Sequence, residues 1–269
     1  MDQNQLNNLK RWFGDYVASF YGQDEYINAN IKLKEDHSHR TCDEMQYLTT
    51  ALGLDENNSR IALAIAILHD IGRFEQFVKY QTYHDPKSTN HALLGLDVIH
   101  KTKPLDGLDL HEQQLIETAI KHHGIKELPA NLQQDHLLFA KLIRDADKID
   151  IYYVVIEGYK QYARNPNGFR LERELPDEPG YSMELIEAIL AGQRFDYHRL
   201  RTWNDMKLIQ LDWVYDVNFV PTLVRIKQRK LLEQILGFLP KTPDIEKVRE
   251  KVFQYINQRI ENSMPHPTQ

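Results

Sequence analysis

The sequence predicts an all-α protein, a compact multi-helix bundle with additional helices at its C-terminal end. Apolar residues recur at three- and four-residue steps along most of the chain. Alternating strand patterns are weak throughout. Residues 61–68, IALAIAIL, form an uninterrupted run of good helix formers, too long for a typical strand. That run leads directly into His69 and Asp70, the pair around which the chain is organised.

The elements follow in order. Leu6, Leu9, Phe13, Tyr16, Val17 and Phe20 mark an amphipathic helix over 5–21. A second helical region covers 24–52 and ends at Gly53 and the polar DENNS. A long helix is expected around 59–80, with Ser59 as its N-cap. QTYHDPKST is a loop, since Pro86 disfavours helix at Asp85. A short helix begins near His91 after the cap-type residues Ser88, Thr89 and Asn90, and KTKPLDGLD forms the next loop. Residues 110–123 are helical and stop at Gly124. A long helix runs from about 135 to 163. RNPNGFRLERELPDEPG reads as a loop, a flap over 164–181, and further helices cover SMELIEAILAG, the DMKLIQLDWVYDVN region, TLVRIKQRKLLEQILGFL and IEKVREKVFQYINQRIEN. The chain shows no internal repeat or low-complexity tract.

Composition narrows the function. Of the 269 residues 42% are hydrophobic, as in a globular protein with a true core. The formal charge of -6 argues against binding nucleic acid through a strongly basic surface. The single Cys42 excludes an intrachain disulfide and a thiolate zinc cluster, and suits a reducing, cytoplasmic location. The polar N-terminus lacks a signal core, and no apolar run approaches the ~20 residues that cross a bilayer, so no membrane partner is expected.

A buried helix that ends in an imidazole and a carboxylate needs a reason, because desolvating a carboxylate costs several kcal/mol. A divalent cation is one partner, and a simple helix cap is the other. Further His and Asp residues stand at element ends: His37, His91, His122, His123 and Asp147. Each alone has an ordinary explanation as a surface residue, a cap, a group that favours a helix C-terminus, or an ion-pair partner. Together with His69 and Asp70 they match the mixed imidazole and carboxylate ligand set of a Zn, Mn or Fe site inside a helical bundle.

The segments HSHRT, LHDIGRF and ADKID, in that order, resemble the HD-domain superfamily of metal-dependent phosphohydrolases, over roughly residues 25–155. The resemblance implies a helical metal-binding core over 25–160, with 1–24 as its N-terminal helix, and a helical extension over 161–269. It also implies a cation held by His37, His69, Asp70 and Asp147. His91 and the His122–His123 pair fit the extra ligands of the binuclear branches, which gives two divalent cations drawn from Mn, Fe, Co, Ni, Zn or Mg. HALLG and the adjacent His pair are similar to the cyclic-dinucleotide branch called HD-GYP. This chain departs from that branch: GIKELP stands where its GYP segment belongs, and Arg73 replaces the Lys usual after HDIG. Arg can clamp a phosphate through two parallel hydrogen bonds where Lys offers a point charge.

On this reading Asp70 bridges the cations, which lower the pKa of bound water, and Arg73 assists at the phosphate. Lys121 and Tyr83 are further substrate candidates, Tyr83 as one of several tyrosines able to stack on a base. The expected activity is hydrolysis of a nucleotide or other small phosphoester. A di-iron oxygenase similar to myo-inositol oxygenase would use the same ligands, and a non-catalytic metal or nucleotide sensor would preserve them too.

Overall fold

In a computed structural model the structure describes residues 1–166, 175–193 and 195–263, and among these the regular elements are all helical. The chain divides into two compact units, Met1–Asp150 and Ile151–Gln269.

In the first unit α1 (Gln3–Ala18) starts in a capping box made by Asp2 and Gln5 and buries Leu6, Leu9, Phe13 and Val17, the stripe its periodicity predicts. Asp24 caps α2 (Glu25–Ala51). The expected long helix over 59–80 is two helices, α3 (Glu56–Leu68) and α4 (Gly72–Tyr80). Its N-cap is Asp55, four residues before the expected Ser59, with the side chain accepting from Asn58 N–H. His69 and Ile71 keep right-handed helical dihedrals between the two helices. The hydrogen bonds there shorten to the three-residue type, Ile71 N–H to Leu68 O and Arg73 N–H to Asp70 O. This tight turn carries His69 and Asp70.

Gly72 explains where the helix yields. A Cβ there would lie 2.3 Å from the His91 carbonyl oxygen and 2.6 Å from Gly95 N. The first turn of α4 therefore rests backbone to backbone on α5 (His91–Thr102), which Asn90 caps. A continuous helix in the direction of α3 would give up that contact. The loop between them contains a short 3-10 turn at Asp85–Lys87, whose second residue is Pro86.

Asp109 caps α6 (Leu110–His122), and α7 (Gln134–Arg164) is the longest helix. α3 packs against α1, α2 and α6, while α4 packs against α2 and α5. The run Ile61–Leu68 is buried on every side, as expected of a helix at the centre of a bundle.

The second unit begins within α7. It continues through α8 (Met183–Ala191), α9 (Trp203–Asp212), α10 (Val220–Gln228), α11 (Leu231–Leu236) and α12 (Pro243–Glu261). The expected helix over 222–239 is broken at Lys230, which adopts a left-handed φ of 51°. Asp205 organises the entry to α9: it accepts from the Ser182 and Thr202 backbones and completes a capping box with Thr202. Within the flap expected over 164–181, residues 167–174 lie outside the described residues. No helix among the described residues is long and apolar enough to cross a membrane.

The Gly72 contact generates a prediction. Gly72→Ala forces two backbones apart and should cost ~1–3 kcal/mol, the usual penalty of overpacking. Gly14→Ala, on the exposed face of α1 with nothing within 4 Å of a new Cβ, should be neutral or stabilise by up to ~1 kcal/mol. Urea denaturation of both variants measures the contrast.

Candidate metal centre

Five elements of the first unit bring the site together. The turn after α3 supplies His69 and Asp70. His69 Nδ1 lies 2.8 Å from the Ala66 carbonyl oxygen, so that nitrogen carries the proton and Nε2 presents its lone pair. On α2, Lys34, His37 and Arg40 recur at three-residue steps along one face. His37 Nδ1 lies 2.7 Å from Asp150 Oδ2, which again leaves the Nε2 lone pair facing inward. Arg40 grips the same carboxylate with two bonds, Nε to Oδ1 at 2.6 Å and Nη2 to Oδ2 at 3.0 Å. One turn earlier on α7, Asp147 Oδ1 lies 3.2 Å from His37 Nε2 and 3.7 Å from His69 Nε2.

A second imidazole pair stands on the other side of Asp70. His91, the first residue of α5, directs Nδ1 to Asp85 Oδ2 at 2.6 Å. His123, at the end of α6, directs Nδ1 to the Ile120 carbonyl oxygen at 2.7 Å. Their Nε2 atoms are 2.9 Å apart and lie 3.5 Å and 3.6 Å from Asp70 Oδ1. Asp70 Oδ2 faces the first pair instead, 3.5 Å from His37 Nε2 and 3.8 Å from His69 Nε2.

The donor chemistry suits cations. Two lone pairs cannot satisfy each other, yet His37 and His69 bring their Nε2 atoms to 3.1 Å, and His91 and His123 bring theirs to 2.9 Å. Nitrogens that each lie about 2.0–2.1 Å from one ion are separated by roughly 2.8–3.4 Å at right-angled to tetrahedral ligand angles. Both pairs fall in that range. His37, His69 and Asp70 form one group that could hold a metal ion, and Asp70, His91 and His123 form a second.

The electrostatics agree. Burial opposes ionisation of Asp70, but Lys34, His69 and Arg73 outweigh it and hold the carboxyl well below its usual range. Lys34 Nζ makes the closest contact, 2.7 Å from Oδ2. Burial and Lys34 push the His37 imidazole down, yet Asp147 and Asp150 overcome them and pull it up, the mark of a position that attracts positive charge. Burial takes His91 down to about 4 against the pull of Asp85, so its imidazole is neutral, the ligating form, at neutral pH.

This constellation lies within a recognisable family segment. Residues 35–152 match the HD domain family model. That segment is an HD domain. HD domains are mostly metal-dependent hydrolases, and the His and Asp groups found here agree with that dependence. No curated protein and no solved structure gives a significant match to the chain.

The HD domain brings together six of the residues singled out in the sequence: His37, His69, Asp70, His91, His123 and Asp147. His122 stays outside. Its Nδ1 lies 2.9 Å from the Thr118 carbonyl oxygen, because adjacent helical residues point about 100° apart and only one of the pair can face inward. Lys121 is exposed on α6 and, among the described residues, has no hydrogen bond or ion pair with either group. Tyr83 does not offer a free stacking face. Its hydroxyl donates to the Asn30 carbonyl, Phe77 packs on its ring, and Lys34 lies over the ring at 5.4 Å. Tyr152 is buried in the second unit, donating to the Gln210 carbonyl.

Arg73 braces the loop over 83–89. Its Nη1 reaches Gln76 Oε1, the Tyr83 carbonyl and Asp85 Oδ1, while its Nε lies 3.4 Å from Asp70 Oδ1. The buried Gln76 amide reinforces the loop through Asp85, Ser88 and the Thr89 carbonyl.

Sequence reading gave no orienting role to the residues that hold these side chains: Lys34, Arg40, Asp85, Arg144 and Asp150. Some left a signal. Lys34 and Arg40 stand one turn either side of His37, and Asp150 stands one turn after Asp147. Asp85 and Arg144 left none. Asp85 reaches His91 only through the folded loop, and Arg144 Nη1 holds the His123 and Ile125 carbonyls across α6 and α7.

Asp85 orients His91 without joining either group itself. Asp85→Ala should weaken metal affinity at the His91 side by about 10–100-fold, as measured by titration with Mn or Zn. His122→Ala should bind metal like the parent in the same titration, whereas His123→Ala should lose the Asp70–His91 side.

Proposed function

We propose that the HD domain is a phosphohydrolase that acts on a nucleotide or other small phosphoester, using two divalent cations that share Asp70. One observation carries this reading: the two oxygens of a single buried carboxylate face separate imidazole pairs, Oδ2 towards His37 and His69 and Oδ1 towards His91 and His123. A carboxylate divided in this way suits two neighbouring ions better than one. Asp147 completes the first set through Oδ1. Bound there, the cations would acidify a water to serve as nucleophile and offset charge on the phosphate oxygens. Mn, Fe, Co, Ni, Zn and Mg all accept such ligands, with imidazole favouring the later metals.

The remaining residues suit an anionic substrate. Lys34 and Arg73 flank Asp70 from opposite sides. The Arg73 Nε is buried with no hydrogen-bond partner, a donor poised for an acceptor oxygen. Arg73 therefore has two roles in this proposal: Nη1 holds the loop that positions His91, and Nε meets a phosphate oxygen. The three bonds at Nη1 pre-organise the guanidinium, so little side-chain freedom is lost when substrate binds.

A phosphoester panel run with each added metal tests the activity. Phosphate release should be abolished in Asp70→Asn, with helicity unchanged by circular dichroism, since an amide ligates poorly and cannot neutralise the ions. Parental rates in that variant would overturn the proposal, as would iron-dependent oxygen consumption without phosphate release from any ester.

Metal number is a separate test. His91→Ala removes a ligand from only one side of Asp70 and should cost one ion per chain, one of the two held at Asp70, without emptying that centre. Elemental analysis of parent and variant after identical loading gives the difference, and a parent that saturates at one ion per chain would rule out the binuclear form.

A further inference from the structure

A second collection of potential ligands lies at the opposite ends of the helices that supply His123 and Asp147. His111 is the second residue of α6, and Asp135 and His136 lie in the first turn of α7. His111 Nε2 is 2.9 Å from Asp135 Oδ2. One ligand atom from each of the three residues falls within 4.8 Å of the others. The imidazole planes of His111 and His136 stand at 78°, with centroids 5.9 Å apart. We propose that His111, Asp135 and His136 form an outer transition-metal site that clasps the start of α6 to the start of α7.

The side chains around the cluster are already oriented. Thr118 Oγ1 lies 3.0 Å from His136 Nδ1 and fixes the ring, leaving Nε2 to ligate. The His136 backbone N–H donates to Asp135 Oδ1 at 2.9 Å and turns Oδ2 towards His111. A ligating imidazole is commonly fixed through its other nitrogen in this manner. His111 and Asp135 are 57% and 43% exposed at the side chain, so water can fill the remaining coordination positions of a bound ion. Two imidazoles with one carboxylate favour Zn, Ni or Cu over Mg or Ca, which prefer all-oxygen sites. The positive ends of two helices meet near the cluster and oppose a cation. The carboxylates of Asp109, the α6 N-cap, and Asp135 counter them.

The site is separate from the inner centre. His111 precedes His123 by twelve residues and Asp135 precedes Asp147 by twelve, about 18 Å along each helix axis. That exceeds the Debye length of about 8 Å at physiological salt, so salt weakens the repulsion between an ion in the exposed outer cluster and one at the inner centre. Both helices run from the outer cluster to an inner ligand. An ion in the clasp therefore fixes the origin of the two elements that carry His123 and Asp147.

The test uses the full chain in an Asp70→Asn background, so that its outcome does not depend on the inner centre. Zn per chain is measured by equilibrium dialysis and elemental analysis for that protein and for versions also carrying His111→Ala or His136→Ala. Each added substitution should remove one Zn per chain and abolish the Zn-induced rise in Tm. Equal Zn content with and without either substitution would overturn the proposal. So would an equal loss on His100→Ala, an exposed histidine paired with Glu117 away from the cluster.

Discussion

The carboxylate of Asp70 sets the terms for the whole first unit. It is buried, it meets Lys34 on one oxygen and Arg73 beside the other, and it faces four imidazole nitrogens. Removing such a group from water costs several kcal/mol unless opposite charge is close at hand. The surroundings answer that cost from several directions, which is why the residues that touch Asp70 come from α2, the turn after α3, α4, α5 and α6. A helix that supplied its ligand without a fixed backbone would leave the carboxylate partly unpaired in a dry interior.

Each inward histidine is accordingly held by its outer nitrogen. His37 is tied to Asp150, which Arg40 grips in turn. His91 is tied to Asp85, which Arg73 and Gln76 hold. His69 and His123 use carbonyl oxygens of their own chain three residues back, Ala66 and Ile120. The two arrangements have different origins. A histidine at the end of a helix can use carbonyls of the last turn, which otherwise lack donors. His37 lies inside α2 and His91 opens α5, so neither has a free carbonyl behind it and both recruit a carboxylate. The carboxylate-bound histidines therefore depend on distant parts of the chain, Asp150 and the loop at 85, whereas the carbonyl-bound ones come with their helices.

Gly72 links this chemistry to the packing. Its missing side chain lets α4 rest on the backbone of α5 at His91 and Gly95. The same contact brings the first residue of α5 to within 3.5 Å of Asp70. The glycine of the LHDIG segment thus serves the second imidazole pair as much as the turn itself.

The amino-acid sequence by itself determined the helical class and most helix boundaries, and it singled out His37, His69, Asp70, His91 and Asp147 together with the His122–His123 pair, because helical periodicity, capping residues and ordered His and Asp positions are local signals. The break between α3 and α4 was not read from the sequence: the helical pattern resumes at once through Phe74 and Phe77, and the close approach of α5 to Gly72 is a contact between segments distant along the chain. The choice of His123 over His122 was likewise undecided, since both end the same helix and only the angle at which α6 meets α3 and α5 turns one of them inward. The partners Asp85 and Arg144 belonged wholly to the tertiary structure. They act on His91 through a folded loop and on His123 across two helices, and contacts made through space leave no period along the chain.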